Sequence, residues 1–344
     1  MAERLSRLLD SLIEWRYLTE EESGELLAAL TDPATPGQLA GAMLAALRDK
    51  GETAEEIRGL ATAMRELARD PGIGDTAGLT DVVGTGGDGS GSLNLSTGAA
   101  LLAAACGVPI VKHGNRAVSS KSGSADTLEE LGLCLPLDEA GARRCLKENG
   151  FTFLFAPYYH PAMKTVAQVR GAMGVRTVFN ILGPLTNPAR PPYSLIGAFS
   201  PAMAELMAAS LAGTNLTRAF VVYGEPGWDE ATPCGPYLLF DVRPGSVTRH
   251  ERDPAELGLA RCAPGDLAGG DCQQNAARLR AVLRGEEGGA HRDALLLGAA
   301  LVLELTGRSP SAADGLITAA EAIDGGAAAT LLDRIAAFGQ AAEV

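Results

Sequence analysis

Between Asp81 and Glu130 the chain reads DVVGTGGDGSGSLNLSTGAALLAAACGVPIVKHGNRAVSSKSGSADTLEE, a stretch dense in residues that hold anions. Gly84-Thr85-Gly86-Gly87-Asp88-Gly89 places four glycines in six positions. Without a Cβ, glycine lets peptide N–H groups approach an anion closely and adopt positive φ. Asn94-Leu95-Ser96-Thr97 then opens an alanine-rich helix that ends at Gly107. A helix N-terminus offers unpaired N–H groups and a partial positive charge. Lys112-His113-Gly114-Asn115-Arg116 brings two cations and a turn-forming Gly-Asn, and Ser119, Ser120, Lys121, Ser122 and Ser124 follow. The glycine loop alone reads as a tight turn, being neither G-x-G-x-x-G nor a Walker A motif. The three segments together point to a phosphate-rich ligand.

Two further groups add chemistry. Asp229-Glu230 follows the apolar run Phe220–Tyr223. Adjacent carboxylates at a strand-to-loop corner suit Mg²⁺, which takes oxygen ligands and shares them with substrate phosphates. Taken alone the pair reads as a solvated acidic turn; beside a phosphate site the metal reading prevails. Tyr159 and His160 suit an aromatic pocket, and Arg170, on the helix that follows, presents a fork for a carboxylate. Asn180–Pro188, rich in Pro, Gly and Asn, shapes a pocket wall.

These residues need a scaffold. Leu5, Leu8, Leu9, Leu12 and Ile13 form a helical stripe. Thr19 with Glu22 and Thr53 with Glu56 read as capping boxes, and Thr35-Pro36 with Gln38 as a further helix start. Residues 1–70 are thus expected to be helical, ending at Asp70-Pro71-Gly72. From about 78 the pattern changes to strands alternating with helices. Strands are expected at Val82–Val83, Pro109–Val111, Phe151–Phe155, Phe220–Tyr223 and Tyr237–Val242. Helices are expected from Ser96 to Cys106, from Asp126 (capped with Glu129), from Met163 to Met173, and through most of 269–340. The fold class is α/β, a mainly parallel central sheet flanked by helices plus a small all-helical N-terminal domain. Ligands of such sheets bind at the carboxyl ends of the strands, where the glycine loops fall.

Composition narrows the function. Net charge is −13, which opposes a nucleic-acid surface. Six cysteines show no C-x-x-C or metal spacing and are expected to be free thiols in a cytoplasmic protein. The amphipathic start MAERLSRLLDSLIEWRYL is not a signal peptide. Apolar runs reach only about ten residues, too short to span a membrane.

With the motifs in place, the chain resembles the anthranilate phosphoribosyltransferases. The resemblance rests on GTGGDG (84–89), NLST (94–97), KHGNR (112–116), SSKSGSAD (119–126), FLFAP (153–157), HPAMK (160–164), VRTVFNILGPLTNP (175–188) and DE (229–230). It extends from about residue 3 to 340. It implies a nucleoside-phosphorylase-like phosphoribosyltransferase with a helical domain (1–72, joined by helices from about 160–190) and an α/β domain (73–344). It also implies a homodimer formed through the helical domain. The implied reaction joins 5-phosphoribosyl 1-pyrophosphate (PRPP) to the amino group of anthranilate in tryptophan biosynthesis and releases pyrophosphate.

Residue by residue, the resemblance assigns PRPP to Gly84, Gly87, Asp88, Ser92 and the Asn94, Leu95, Ser96, Thr97 corner. It adds Lys112, His113, Gly114, Asn115, Arg116, Ala117, Val118, Ser119 and Ser120, with Ser124, as a loop closing over the donor. Anthranilate is assigned to Gly84, Asn115, Tyr159, His160 and Arg170, the last on its carboxylate, with His113 lining the pocket. Two Mg²⁺ ions are assigned to Ser96, Asp229 and Glu230. Lys112, His113, Asn115 and Arg170 carry the catalytic expectation.

The chain departs from the family pattern in GEPGWDEATPCGP, where Trp228 replaces a small or aliphatic residue and Pro233-Cys234 a more polar turn. It also departs at Ala117, a frequent Ser, and in DCQQN (271–275). Two alternatives stand beside the main reading. One is a transferase of this family acting on another aromatic amine or aminobenzoate. The other is a non-catalytic nucleic-acid-binding relative, which would be basic and would lack the motif residues.

Overall fold

The computed structural model describes residues 2–117 and 121–342. Val118, Ser119 and Ser120, expected to cover the donor, lie outside the described residues.

The chain begins with α1 (Ala2–Ile13), α2 (Glu20–Thr31), α3 (Gly37–Lys50) and α4 (Ala54–Glu66). Thr19 and Thr53 are reciprocal caps: each side chain accepts the N–H of Glu22 or Glu56, which reaches back to the cap residue. At α3 the expectation shifts by one residue, for Pro36 is the N-cap and makes no side-chain cap bond. Glu56 is fully buried. It accepts from Lys50 Nζ and from the N–H of Leu18, each at 2.8 Å, tying three segments of the bundle.

Strands and helices then alternate: β1 (Thr80–Gly84), α5 (Leu95–Ala105), β2 (Ile110–Gly114), α6 (Ser124–Glu130), α7 (Glu139–Asn149), β3 (Phe151–Phe155), α8 (Ala156–Tyr159), α9 (Met163–Met173) and α10 (Phe179–Leu182). They continue as β4 (Tyr193–Gly197), α11 (Pro201–Ala212), β5 (Arg218–Gly224), β6 (Tyr237–Arg243) and β7 (Ser246–Arg252). The chain closes with α12 (Cys272–Leu283), α13 (Ala290–Leu305), α14 (Ala312–Asp324) and α15 (Ala327–Ala342). The sheet order is β3-β2-β1-β4-β5-β6-β7. The first five neighbours run parallel, and β6 and β7 add an antiparallel edge. All parallel strands therefore end at one edge.

Several details differ from the sequence expectation. β2 runs through Lys112, His113 and Gly114, so these are strand residues rather than loop residues. α6 begins at Ser124 with Gly123 as N-cap, and Asp126 is its third residue, accepting the Gly123 N–H at 3.0 Å. The spacing of Asp126 and Glu129 is therefore not a capping box. β4 and β7 went unanticipated: β4 is half-buried at Tyr193 and Ser194, and β7 is an exposed edge without an apolar stripe.

Two cores lie on opposite faces of the sheet. The larger joins α5, α12, α13 and the last helices to β1–β3. The other joins Leu26, Met43 and Leu60 of the N-terminal bundle to Val166, Phe179 and Leu182, and then to Ile196, Val221 and Phe240 of β4–β6. Thus α9 and α10 pack with the bundle, and α11, through Ala204, Met207, Ala208 and Leu211, packs between the bundle and β5 and β6. Among the described residues no single helix is long and apolar enough to cross a membrane.

Candidate active site

The loop between β5 and β6 lies across the ends of β1, β4 and β5, and three glycines make room for it. A Cβ on Gly84 would overlap the Asp229 carboxylate, one on Gly197 the Asp229 carbonyl, and one on Gly224 the Glu230 carbonyl. Asp229 and Glu230 are thereby held against the glycine loop and the start of α5. Asp229 Oδ2 accepts the Gly86 N–H at 2.6 Å, and Glu230 Oε1 accepts the Ser96 N–H at 2.8 Å. The helix N-terminus thus faces a carboxylate. A cavity of about 30 Å³ lies beneath this corner, lined in part by Ser96, Gly197, Asp229 and Glu230.

The corner carries excess negative charge. Burial first, and Asp88 second, push the Asp229 carboxyl up to about 7. Glu230 is raised well above the carboxylate range by burial, then by Asp229 and Asp88. The cation that acts on both is Lys112, itself buried, with Nζ on the Val82 carbonyl and 3.4 Å from Ser96 Oγ. Burial lowers its pKa, while Asp81, Glu230 and Asp229 oppose that. Two adjacent carboxylates, Asp229 and Glu230, each raised further by Asp88, leave this corner short of positive charge and fit a divalent cation. Among the described residues no three His, Cys, Asp or Glu side chains converge as a complete metal cage. A pair of carboxylate oxygens suits Mg²⁺, whose other positions are filled by water and substrate phosphates.

The rest of the glycine-rich stretch is well ordered by its own contacts. Asn94 Oδ1 accepts from Thr127 Oγ1 at 2.7 Å, Asn275 Nδ2 at 2.9 Å and Ser122 Oγ at 3.2 Å. Asn94 thus ties α5 to α6 and α12 and makes no cap bond to its own helix. Asn275, in the DCQQN departure, joins this network. Asp88 Oδ1 accepts from Ser90 N–H and Oγ, and Ser90 Oγ lies 3.3 Å from Ser92 Oγ. Leu95 and Thr97 are buried in the first turn of α5, and Gly87 has φ +75 in the loop. Gly114 packs so closely that a Cβ would press on Phe153.

After β2 the chain turns at Asn115, whose carbonyl accepts from Ser124 Oγ and the Ala125 N–H, each at 3.2 Å. Arg116 does not face the donor corner freely. Its guanidinium is bound by Asp126 and Glu129 and sits 5.5 Å from the Phe155 ring centre. The Ala117 N–H donates to Asp126 Oδ2 at 3.0 Å.

Arg170, expected on the anthranilate carboxylate, lies 5.3 Å from the Phe179 ring centre and has no ion-pair partner among the described residues. Burial lowers its pKa. His113 and His160 stack edge-to-face with centroids 5.0 Å apart. Both are buried, and among the described residues both Nε2 atoms lack a hydrogen-bond partner. Burial, then His160, lowers His113 to about 3; burial lowers His160 to about 4. Both rings are therefore neutral near pH 7. Tyr159 differs from the pocket-wall expectation. It is fully buried in the larger core, and its hydroxyl donates to the Leu137 carbonyl at 3.2 Å. Trp228 is also in that core, only 3% exposed, so the departure at this position is absorbed by packing.

Sequence reasoning missed two buried polar residues beside the site. Asp81 accepts the His113 N–H at 3.1 Å and Asn187 Nδ2 at 2.9 Å. A lone Asp inside an apolar strand was the available signal.

Comparison with known proteins covers almost all of the chain. Residues 76–329 match the glycosyl transferase family, a/b domain, and residues 6–68 its helical bundle domain. The anthranilate phosphoribosyltransferase of Pelotomaculum thermopropionicum is 44% identical over 97% of this chain and 96% of its own. That of Chloroflexus aurantiacus is 45% identical over 95% and 96%. Among solved structures, the enzyme from Thermus thermophilus superposes with a TM-score of 0.90 at 43% identity, covering 97% of this chain and 99% of its own. The Saccharomyces cerevisiae enzyme in complex with PRPP and Mg has a TM-score of 0.87 at 26% identity, with 98% of each chain covered.

Proposed function

Since the chain belongs to the anthranilate phosphoribosyltransferases, we infer that it transfers the phosphoribosyl group of PRPP to the amino group of anthranilate. The products are N-(5-phosphoribosyl)anthranilate and pyrophosphate, a step of tryptophan biosynthesis. The observation that carries this reading is the corner where Asp229 and Glu230 meet the glycine loop and the N-terminus of α5.

PRPP binds there, with its pyrophosphate against the glycine loop, Asp88, Ser92 and the Asn94–Thr97 turn. Ser96, Asp229 and Glu230 would hold the two Mg²⁺ ions expected per chain. When bound, the metal offsets charge on the departing pyrophosphate. Lys112, buried and close to Ser96, supplies a fixed positive charge for the same oxygens. Asn115 and the segment after it cover the ribose phosphate. Arg116 joins them only on release from Asp126 and Glu129.

In the transfer, the bond from ribose C1 to the pyrophosphate oxygen breaks. The anthranilate nitrogen lone pair forms the new C1–N bond on the opposite face, and the nitrogen then loses one proton. The neutral arylamine needs placement more than a strong base. Arg170, without an ion-pair partner among the described residues, takes its carboxylate. The neutral His113 and His160 flank the ring without adding charge. At a pKa of about 3, His113 is a weak proton acceptor, so its role is positioning.

We further propose a homodimer through the helical domain. Ile13, Trp15 and Tyr17 leave 60%, 62% and 62% of their surface exposed at one end of that bundle, an apolar group suited to a partner surface.

The test is direct. Purified protein with Mg²⁺, PRPP and anthranilate should release pyrophosphate and form the N-ribosylated product. A screen of other aminobenzoates and aromatic amines should give lower kcat/KM for each. No turnover with anthranilate alongside turnover with another amine would replace this acceptor.

A further inference from the structure

β1 and β2 part almost as soon as they meet. Their pairing among the described residues is Thr80 opposite Ile110. By contrast, β1 pairs with β4, and β2 with β3, along five residues each. Continued for two residues, the β1–β2 register would set Val82 opposite Lys112. A parallel ladder there would join the Val82 N–H to the Val111 carbonyl and the His113 N–H to the Val82 carbonyl. Three of these four groups are taken by a side chain instead. The His113 N–H donates to Asp81 Oδ1 at 3.1 Å. The Val111 carbonyl accepts from Asn187 Nδ2 at 2.8 Å. The Val82 carbonyl accepts from Lys112 Nζ.

The same amide closes the circuit. Asn187 Nδ2 also donates to Asp81 Oδ2 at 2.9 Å, and Asn187 Oδ1 accepts the Ala189 N–H at 3.0 Å. Asp81 and Asn187 are 1% and 4% exposed. A carboxylate at this depth is costly unless its oxygens are satisfied. A β-branched apolar residue would sit in the strand without that cost and leave the ladder free to close. Asp81 and Asn187 both hold the backbone on either side of Lys112.

We propose that Asp81, together with Asn187, is a positioning residue for phosphoribosyl transfer: the pair keeps β1 and β2 apart at their carboxyl ends, so that the Gly84–Gly89 loop and Lys112 face the PRPP pyrophosphate from opposite sides of the gap. This rests on the reading of Lys112 as a donor ligand.

Steady-state kinetics of three variants test it. Both neighbours of the Asp81 carboxylate are donors, so Asp81→Asn keeps the shape but sets an NH₂ against one of them. Asn187→Ala keeps the carboxylate and removes the amide bridge. Both should raise the KM for PRPP tenfold or more and lower kcat. The KM for anthranilate should stay within twofold. A purely structural role would reduce the folded fraction and leave both KM values unchanged in what remains; that result overturns the proposal. If Asp81→Asn does not fold, the same criteria apply to Asn187→Ala alone. Lys112→Met separates the two levels of the argument. If it raises the PRPP KM while the other variants do not, the ligand reading stands and the positioning proposal is overturned. If it leaves the PRPP KM unchanged, the ligand reading fails and the proposal falls with it.

Discussion

Glu230 Oε1 accepts the N–H of Ser96 at 2.8 Å although the two residues are 134 apart in sequence. The carboxylate of a loop thus caps the helix that opens the phosphate corner. Beside it, Asp229 accepts the Gly86 N–H, so the protein's own backbone holds both acids, the proposed metal ligands, in place. Asp229→Asn with Glu230→Gln keeps the shape and removes both charges. kcat should fall by about 100-fold or more, the scale of losing preorganised electrostatic stabilisation. The Mg²⁺ concentration for half-maximal rate should rise. An unchanged Mg²⁺ dependence would take these residues out of the metal site.

Arg170 has no ion-pair partner among the described residues, and its proposed role is to bind the anthranilate carboxylate. Removing a charged hydrogen bond costs about 1.5–3 kcal/mol. Arg170→Ala should therefore raise the KM for anthranilate roughly 10- to 150-fold and leave the KM for PRPP nearly unchanged. Equal rises in both would refute the carboxylate contact. Anthranilate lacking its carboxylate, aniline, should distinguish wild type from variant far less than anthranilate does.

The buried acids set a pH dependence. Asp229 titrates at about 7 and Asp81 at about 6, with burial the first cause in each. Both folded values lie above the ordinary carboxylate value of about 4. The stability they contribute is complete below that value and is lost as pH rises to about 7. In metal-free protein, Tm should fall across this window more steeply in wild type than in Asp229→Asn. Mg²⁺ with PRPP should raise Tm more at pH 8 than at pH 5, since protons compete for the same oxygens. Parallel Tm curves for the two proteins would reject the assignment.

Gly197 ends β4 where the Asp229 carbonyl lies. Gly197→Ala must displace the backbone that carries both acids. It should cost about 1–3 kcal/mol of stability, as overpacking does, and should weaken Mg²⁺-dependent turnover beyond what the Tm change explains. Denaturant unfolding and Mg²⁺ titration of activity report the two effects separately.

The Lys50–Glu56 pair is almost wholly buried, with side chains 1% and 0% exposed. Removing one partner strands a charge. Lys50→Met should destabilise the protein by roughly 3–5 kcal/mol; a loss under about 1 kcal/mol would show that the Leu18 and Thr53 amides alone satisfy Glu56.

Much of this molecule is local chemistry, and the sequence determined that part. The Thr19 and Thr53 caps involve residues three apart. The glycine loop and the opening of α5 follow from glycine's missing Cβ and from helix-end electrostatics. β3 and α9 declare themselves by apolar run and period. The motif series also carried the family, and with it the reaction.

Only the tertiary structure decided where the second half of the site falls. No sequence spacing says that β4 lies beside β1 or that Gly84, Gly197 and Gly224 form one shelf for Asp229 and Glu230, because neighbours in a parallel sheet are set by crossovers. The fate of polar groups was equally non-local. Arg116, read as a donor ligand, is bound by Asp126 and Glu129, and Tyr159, read as a pocket wall, is core. Asp81 looked like the edge of a motif. Its neighbours Lys112, His113 and Asn187 come from β2 and a distant loop, and burial makes each of their hydrogen bonds obligatory.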